Sequence, residues 1–537
     1  MHRILTSTSL SLIAAMLLFS CGPGGAEESA LVTTLDDVED PNDGEVSLRE
    51  AVSFALSSGE RVTFASELDG ALVLTGPIVL EGSGALEIGG ENRIMLDAAG
   101  ASRHFEGGGP DLTLSNLTLT NGVAGESSEG GGSIYMTTGK LTVAACAFEA
   151  NRHSSDIGSG GAIHIAEGAD LEISGATFSG NLARREGGAI YNASPRPTSI
   201  EDASFSGQKG DQDGAELWGA SIYHVGGDLT VRGGEFRDEQ SARGALYASM
   251  LEGAVEVVEG TFEGNAGEIG GAIYVEYSGT DGMADVVSLN VSDSTFTDNT
   301  SEVAGGAIAA REWTKVTVNK STFTGNQATL EGEGGGTGGA ISSKGALVIA
   351  ESTFSENSAA FQGGALEVGG LTNEHRLEVS TSSFSKNSSG EGGAVYAVFA
   401  KSVAISGSEF EENSATNGGG AGSLAGASIA IEGSSFTKNT TSDESNGGAL
   451  FLSEDTSIQG STFSENSGHF GGAIYIRAAA LTLDAQTSIT GNTATVPGDV
   501  AEGKGGGVCN EDADVTLGGA MVSGNNPDDF CVAARVN

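Results

Sequence analysis

Asp211, Asp213, Glu216 and Trp218 bring three carboxylates and an indole into one short stretch near the middle of the chain. Carboxylates held about 5 to 9.5 Å apart can hydrolyse glycosidic bonds. A carboxylate cluster that binds a cation beside an Arg or Lys suits eliminative cleavage of acidic polysaccharides. The nearest basic residues, Lys209 and Arg232, have no distinctive spacing, so these four residues are candidates for a ligand or cation site and not a recognisable catalytic set. Cysteine is sparse. Cys509 and Cys531 lie close together near the end of the chain, where a disulfide is expected in an exported protein, contributing about 3 kcal/mol. Cys146, just before Phe148, is expected to be a buried free thiol, and no Cys/His spacing fits zinc. The seven His are scattered, with His164 and His224 expected at strand ends in solvent. No nucleophile motif, phosphate loop or nucleotide fingerprint is present, since the Gly-x-Gly matches follow from 85 glycines. A formal charge of −47, from 72 acidic and 25 basic residues, argues against nucleic acid and anionic lipid surfaces as direct ligands.

The elements that position these groups form a repeat. Phe148/Asn151, Phe178/Asn181, Phe262/Asn265, Phe296/Asn299, Phe323/Asn326, Phe354/Asn357, Phe384/Asn387, Phe410/Asn413, Phe436/Asn439 and Phe463/Asn466 recur about every 26 to 34 residues, each followed by a Gly-Gly-Ala-Ile type segment. Self-similarity at that period means a solenoid. The apolar-alternating runs are about five residues long, too short for helices, and are separated by Gly, Ser, Asn and Asp. Three strands per coil are expected, stacked at the strand spacing of about 4.8 Å. Phe would stack on Phe in the interior, and Asn would form an amide ladder. The fold class is all-β, a right-handed parallel β-helix. At Phe205 and Phe236 the corner Asn gives way to Gln208 and Glu239, so the ladder is expected to break there, beside Trp218. Drift within an array produces such departures more often than a ligand does. Two coils are longer than their neighbours, through Tyr277 to Asp285 and Leu330 to Gly338, and such insertions form loops on one face.

The paired Gly-Gly-Ala-(Ile/Leu/Val) and Phe-x-x-Asn signatures resemble the polymorphic outer membrane protein repeats of chlamydial surface proteins, from about Gly131 to Asn525. The resemblance implies a surface-exposed or secreted β-helix of pectin-lyase-like fold and implies no reaction. The Asn-Thr-Asp, Asp-Asp, Gly-His-Gly and Arg-Ile-Lys set of polygalacturonase-like enzymes is missing, as is an array of calcium-binding nonapeptides. Val46-Ser47-Leu48-Arg49-Glu50-Ala51 is similar to the Cys-Ser-Leu-Arg-Glu-Ala segment that opens many bacterial β-helix surface proteins, with Val46 in place of Cys. Independently of that, Ser47 and Glu50 fit a capping box, and Leu48, Ala51, Val52, Ala55 and Leu56 share one helical face, giving a short helix over the open first coil.

Met1 to Ser20 reads as a secretory signal, too short for a membrane span. Leu18-Phe19-Ser20-Cys21 resembles the lipobox of bacterial lipoproteins, which implies lipidation of Cys21, although Phe19 is a less usual occupant and cleavage a few residues later is the alternative. The expected organisation is a signal peptide (1–20), a lipidated tether (21–30), an N-terminal cap (31–60), the β-helix (61–525) and a tail (526–537), with no room for the export barrel of the chlamydial proteins. The expected function is a lipid-anchored surface β-helix in the cell envelope, at the outer membrane surface or outside it. Its role would be structural or adhesive, with a host or matrix protein or a polysaccharide as partner, no nucleic acid and no cofactor. The alternative is a cation-dependent, pectate-lyase-like enzyme, and only there does Ca2+ enter.

Overall fold

A computed structural model describes residues 29–531 and 535–536, apart from 126–128, 156–157, 209–216, 280–285, 333, 371–374, 443 and 496–504. Every described strand pair is parallel and joins one coil to the next, for example Leu366–Val368 with Val395–Ala400, and Thr353–Ser355 with Ser383–Ser385. The chain is therefore a parallel β-solenoid. Each coil visits a first face (the Ile-Tyr strands, sixteen among the described residues), a second (the Leu-Thr-Val strands) and a third (the Phe strands). Eleven of the described coils add a fourth, short strand between the corner and the Gly pair, nine in one sheet, such as Ser414–Ala415, and two, Val123–Ala124 and Arg152–His153, in another, where three strands per coil were expected. Near the N-terminus the second and third faces merge, because Ala85–Asp97 and Asp111–Thr120 each run through both.

The interior follows from alternation along short strands. In the first-face strand Ile134–Met136 both ends are buried and the centre is not. The corner Phe side chains are buried and form one column from Phe148 to Phe463, including Phe205 and Phe236. Ring planes lie nearly parallel, as at Phe296 and Phe323, whose centroids are 4.6 Å apart. That spacing is set by the backbone, since strand repeat and ring stacking nearly coincide.

Beside it runs the amide ladder. The backbone N–H of Asn357 donates to Asn387 Oδ1 (3.1 Å), and its Nδ2 donates to the same oxygen (3.0 Å) and to the Phe323 carbonyl (3.0 Å). The other corner amides sit in the same column, fully buried, and where the next corner is also Asn the Nδ2 reaches its Oδ1. Asn265 donates to Asn299 (2.9 Å), Asn299 to Asn326 (2.9 Å) and Asn326 to Asn357 (2.9 Å). Further along, Asn387 donates to Asn413 (2.9 Å), Asn413 to Asn439 (2.9 Å) and Asn439 to Asn466 (3.0 Å). Asn151 heads the ladder: its Nδ2 donates to Asn181 Oδ1 (3.0 Å) and to the Leu119 carbonyl (3.0 Å), while its own Oδ1 accepts from the Gly122 N–H (2.8 Å) because no corner Asn precedes it.

The residue before each ladder Asn in these coils takes up a left-handed turn, as at Glu356 (φ 58°), Lys386 (φ 55°) and Glu465 (φ 57°), which costs a non-glycine roughly 1 kcal/mol. The ladder bonds hold that bend. A second ladder, of Ser two residues before Phe, runs from Ser294 to Ser461: Ser352 N–H donates to Ser382 Oγ (3.1 Å), and Ser352 Oγ donates to the Ala350 carbonyl (2.7 Å).

The Gly pair divides its work. Gly447 takes φ 73°, and a Cβ on Gly448 would lie 2.1 Å from the Gly472 carbonyl oxygen, so the second glycine is required by close approach of the next coil.

Two expectations are corrected. The ladder does not break: Asn181 N–H donates to Gln208 Oε1 (2.7 Å), and Gln208 Nε2 donates to the Phe178 carbonyl (2.8 Å). Gln208 N–H in turn donates to Glu239 Oε2 (3.1 Å), and Glu239 N–H to Asn265 Oδ1 (3.2 Å). The extra methylene is absorbed because the acceptor oxygen still reaches the ladder. The histidines are not at solvated strand ends either. His224 is buried, accepts at Nδ1 from Asn192 Nδ2 (3.0 Å) and donates from Nε2 to the Gly227 carbonyl (2.6 Å). Burial holds His164 down to about 4.

Both ends are closed. Helix α1 (Leu48–Ser58) has the Ser47/Glu50 capping box and buries Leu48, Ala51, Val52 and Ala55. Arg49 is anchored to Asp37 (2.7 Å) and to the Pro77 carbonyl (2.9 Å). At the other end the ladder continues past the last Phe, from Asn466 through Asn492 and Asn525 to Asp529. Residues there still pair with the coil before, Asn526 with Thr493 and Phe530 with Val508. Cys509 and Cys531 are disulfide-bonded, with Cα atoms 5.0 Å apart, and Cys146 is a buried free thiol whose pKa burial pushes up to about 11.

Truncating Phe354 to Ala should cost about 3 to 5 kcal/mol, and Asn357→Ala about 2 to 4 because buried partners lose their bonds. The outward Glu378→Ala should stay within about 0.5 kcal/mol. Equal shifts in the urea midpoint for all three would contradict the interior placement.

Burial raises the Glu239 carboxyl to about 9, against a usual 4.5, and its Oε1 has no partner. The folded chain thus holds a proton that the unfolded chain releases, so stability falls as pH rises from about 4.5 to about 9. Glu239→Gln removes this penalty and should stabilise by about 3 kcal/mol at pH 7, with the gain shrinking towards pH 4.5. A gain that stays constant across that range would contradict a buried neutral carboxyl.

Candidate functional site

The alternation that buries Ile134 and Met136 turns the central residue of each first-face strand outward. In register, that column reads Glu106, Tyr135, His164, Tyr191, Tyr223, Tyr247, Tyr274, Ala309. Six consecutive coils therefore carry an aromatic ring on the outward side of the wall, about 24 Å from first to last at the strand spacing, with Tyr223, Tyr247 and Tyr274 covered by their neighbours. His164 stacks on Tyr191 (4.4 Å between centroids), and Tyr191 on Tyr223 (5.5 Å).

A second column flanks the first. The residue just before the Gly pair, or its counterpart where the pair is altered, is matched from coil to coil as Ser159, Glu186, Trp218, Arg243, Ile269. Trp218 thus lies beside Tyr223 (6.4 Å) and Tyr247 (6.1 Å, edge on). The Arg243 guanidinium lies over its ring at 4.8 Å and Arg185 at 5.4 Å, both within cation–π range. The buried Trp218 Nε1 has no partner.

One carboxylate gathers the far end. Glu276 accepts from the hydroxyls of Tyr247, Tyr274 (3.1 Å) and Ser249 (3.3 Å). Arg311 Nε donates to the Tyr274 hydroxyl (2.8 Å) and lies 4.0 Å from Glu276, at the limit of an ion pair. Burial first, then the Glu276 charge, raises the Tyr247 and Tyr274 phenols far above their usual range. Just beyond, Tyr277 meets Trp313 edge on at 6.2 Å.

Of the ligand candidates singled out from sequence, only Trp218 takes part here. Asp211, Asp213, Glu216 and Cys21 lie outside the described residues. The corner amides of Asn151, Asn181, Asn265, Asn299, Asn326, Asn357, Asn387, Asn413, Asn439 and Asn466 are fully buried in the interior, on the far side of the wall from this patch, and are spent on the ladder; none of them can meet a ligand. Among the described residues no three His, Cys, Asp or Glu side chains come together as a cation site. Sequence reasoning missed the Tyr column, Arg185, Arg243, Arg311 and Glu276. The signal was available: Tyr or His in the second place after Gly-Gly-Ala or its variants, in six successive repeats. Further along the same column Glu367 is closed to a ligand, since it is buried and accepts from Lys344 (2.7 Å) and Ser342 (2.7 Å).

The Chlamydia polymorphic membrane protein (Chlamydia_PMP) repeat matches residues 175–193, 293–311, 320–344, 381–398 and 460–477. The chain carries polymorphic membrane protein repeats. Each match runs from the Phe corner through Asn to the Gly pair and onto the first face, and one of them contains Tyr191 of the outward column. No curated protein matches the chain. Among solved structures the chain is similar to PfbA, a surface adhesin of Streptococcus pneumoniae, at 13% identity over 63% of this chain and 88% of that one, with TM-score 0.39. It is also similar to the bacteriophage CBA120 tailspike protein 3, at 11% identity over 90% of this chain and 60% of that one, TM-score 0.29. The PL6 family alginate lyase AlyGC matches at 10% identity over 92% and 100%, TM-score 0.19. These likenesses are of architecture only.

The phenols of Tyr135, Tyr191, Tyr223, Tyr247, Tyr274, Tyr396 and Tyr475 are all raised. At pH 11 the folded chain should therefore show much less tyrosinate absorbance at 295 nm than the unfolded chain, and stability should fall as pH climbs beyond about 10. Equal absorbance in the two states would contradict this placement of the rings.

Proposed function

We propose that the protein is an exported, surface-exposed β-helix with an adhesive role, anchored through a lipid on Cys21 and binding its partner along the first face between Tyr135 and Arg311. The observation that carries this reading is the outward-facing aromatic column, on a chain that matches the polymorphic membrane protein repeat at five places, one of which contains Tyr191 of the column. Nothing in the interior ladder requires aromatics there, since Ala309 and Ser342 occupy the same column further along. The accessible side chains over that column, Trp218, Arg185, Arg243 and Arg311, are of the residue types that dominate binding energy at interfaces.

A second reading, a polysaccharide lyase, is favoured by one observation: Arg243, Glu276 and Arg311 come from consecutive coils. Against it, a general base works best with a pKa near the operating pH. The Tyr247 and Tyr274 phenols are pushed the other way.

One set of cells tests this. Cells expressing the wild-type chain should adhere to a matrix-coated surface, and Trp218→Ala with Arg243→Ala should reduce adhesion at least tenfold without changing surface abundance. Cys21→Ala should abolish incorporation of labelled palmitate and release the chain. Undiminished adhesion by the double variant would overturn the binding face. Release of unsaturated products from acidic polysaccharides, with or without Ca2+, would establish the lyase instead.

A further inference from the structure

Trp218 packs against the aromatic column, and Trp313 lies past the end of the first-face strand Ile308–Ala310, beside Tyr277 and four coils on counting both ends; both indoles are partly exposed. Between them lie Arg243, Glu276 and Arg311. We infer that this stretch is a subsite for an uncharged oligosaccharide or polysaccharide, laid along the solenoid axis; the inference rests on the binding role proposed for the first face.

Charge supports this class. The three guanidiniums here, Arg185, Arg243 and Arg311, are met by Glu186 at 3.8 Å from Arg185, by Glu276 at 4.0 Å from Arg311, and by Glu312, whose charge acts on Arg311. The patch is balanced, while the chain around it carries −47. An acidic polymer would be repelled at long range and gain no net attraction on arrival. A sugar hydroxyl both donates and accepts. The patch supplies matching groups of both kinds: guanidinium N–H donors and the Glu276 carboxylate as acceptor. Partly exposed indoles supply the apolar contact that sugar rings need, with the polar groups fixing orientation.

A protein partner fits less well. Interface hot spots fill apolar pockets with aromatic or Arg anchors. Here Tyr223, Tyr247 and Tyr274 are themselves buried, and the Tyr247 and Tyr274 hydroxyls are committed to Glu276, so the accessible surface is ring margin and charged head groups and not a receptive pocket.

The chain reports on its own site, because one of its two tryptophans, Trp218, packs in it. The full chain, purified in detergent, is titrated with cellohexaose, chitohexaose and a galacturonate hexamer, following tryptophan emission and heat. A saturable emission change is expected with at least one neutral hexamer, and binding at least tenfold weaker to the galacturonate. Trp218→Ala and Arg243→Ala should each weaken neutral binding at least tenfold, and Trp218→Phe, which keeps the ring packing, should weaken it less. An unchanged thermal midpoint separates loss of binding from loss of fold. Tighter binding of the galacturonate, no binding of either neutral hexamer, or neutral binding untouched by these variants would each overturn the inference. If glycan binding fails while the same variants lose cell adhesion, the first face remains a binding face and a protein is its partner; if adhesion also survives, both readings fall.

Discussion

In each regular coil the backbone N–H of the corner Asn is donated to the side-chain oxygen of the corner Asn one coil further on, and the same oxygen takes an N–H from the side chain. A buried side-chain amide has two donors and two acceptor sites to satisfy, and leaving any unmet costs about 1 to 3 kcal/mol. Stacking identical amides at the strand repeat meets them without water. It also fixes the axial register of every coil, because sliding by one residue would carry Phe and Asn out of the core and bring charged neighbours in. The left-handed residue before each Asn, the Ser ladder two residues before each Phe and the close-approach glycine all follow from holding that register.

An array of this kind is stable only in its middle, since each coil is completed by its neighbours. The ends are accordingly built differently. Helix α1 covers the first coil, and its Arg49 is held by Asp37. Burial alone would raise the Asp37 carboxyl, but its bonds to Arg49 and Thr75 outweigh this and lower it. At the other end, Asp529 accepts from both the backbone and the side chain of Asn525, so the last ladder amide is not left unsatisfied, and the disulfide between Cys509 and Cys531 ties the closing segment to the first face.

The solenoid was legible in the sequence because the repeat signals its own physics: Phe, Asn and paired Gly each occupy a place that few other residues can fill. From Asn265 to Asn466 the amides follow one another without a substitution, and there the ladder could be read directly from the spacing. The chemistry of individual places was less legible. Gln208 and Glu239 looked like gaps because residue identity was read in place of reach; a longer side chain can deliver its oxygen to the same point. Asn492 and Asn525 went unnoticed because Ile489 and Val522 stand where Phe marks the earlier corners, although the amides continue the ladder. His224 was placed in solvent because its strand position was taken as an end, whereas an Asn192 partner one coil back makes burial of a neutral imidazole tolerable.

The outward column was the least legible part, and the reason is general to this architecture. Register is enforced by the inward residues, so the outward ones are free to vary, and a functional face leaves no break in the repeat for the eye to catch. Here the freedom is used in one place. Tyr223 and Tyr247 belong to the same coils that carry Gln208 and Glu239 in the ladder, and those coils also put Trp218 and Arg243 in the flanking column. Inside, these coils keep hydrogen bonding with longer side chains, at the expense of one unpartnered carboxyl oxygen on Glu239. Outside, they assemble an indole and guanidiniums over a row of phenols. A ladder variant that bonds less well than Asn, retained in the coils that carry the densest outer-face cluster, ties the outer cluster to the one segment where the interior deviates from its own rule.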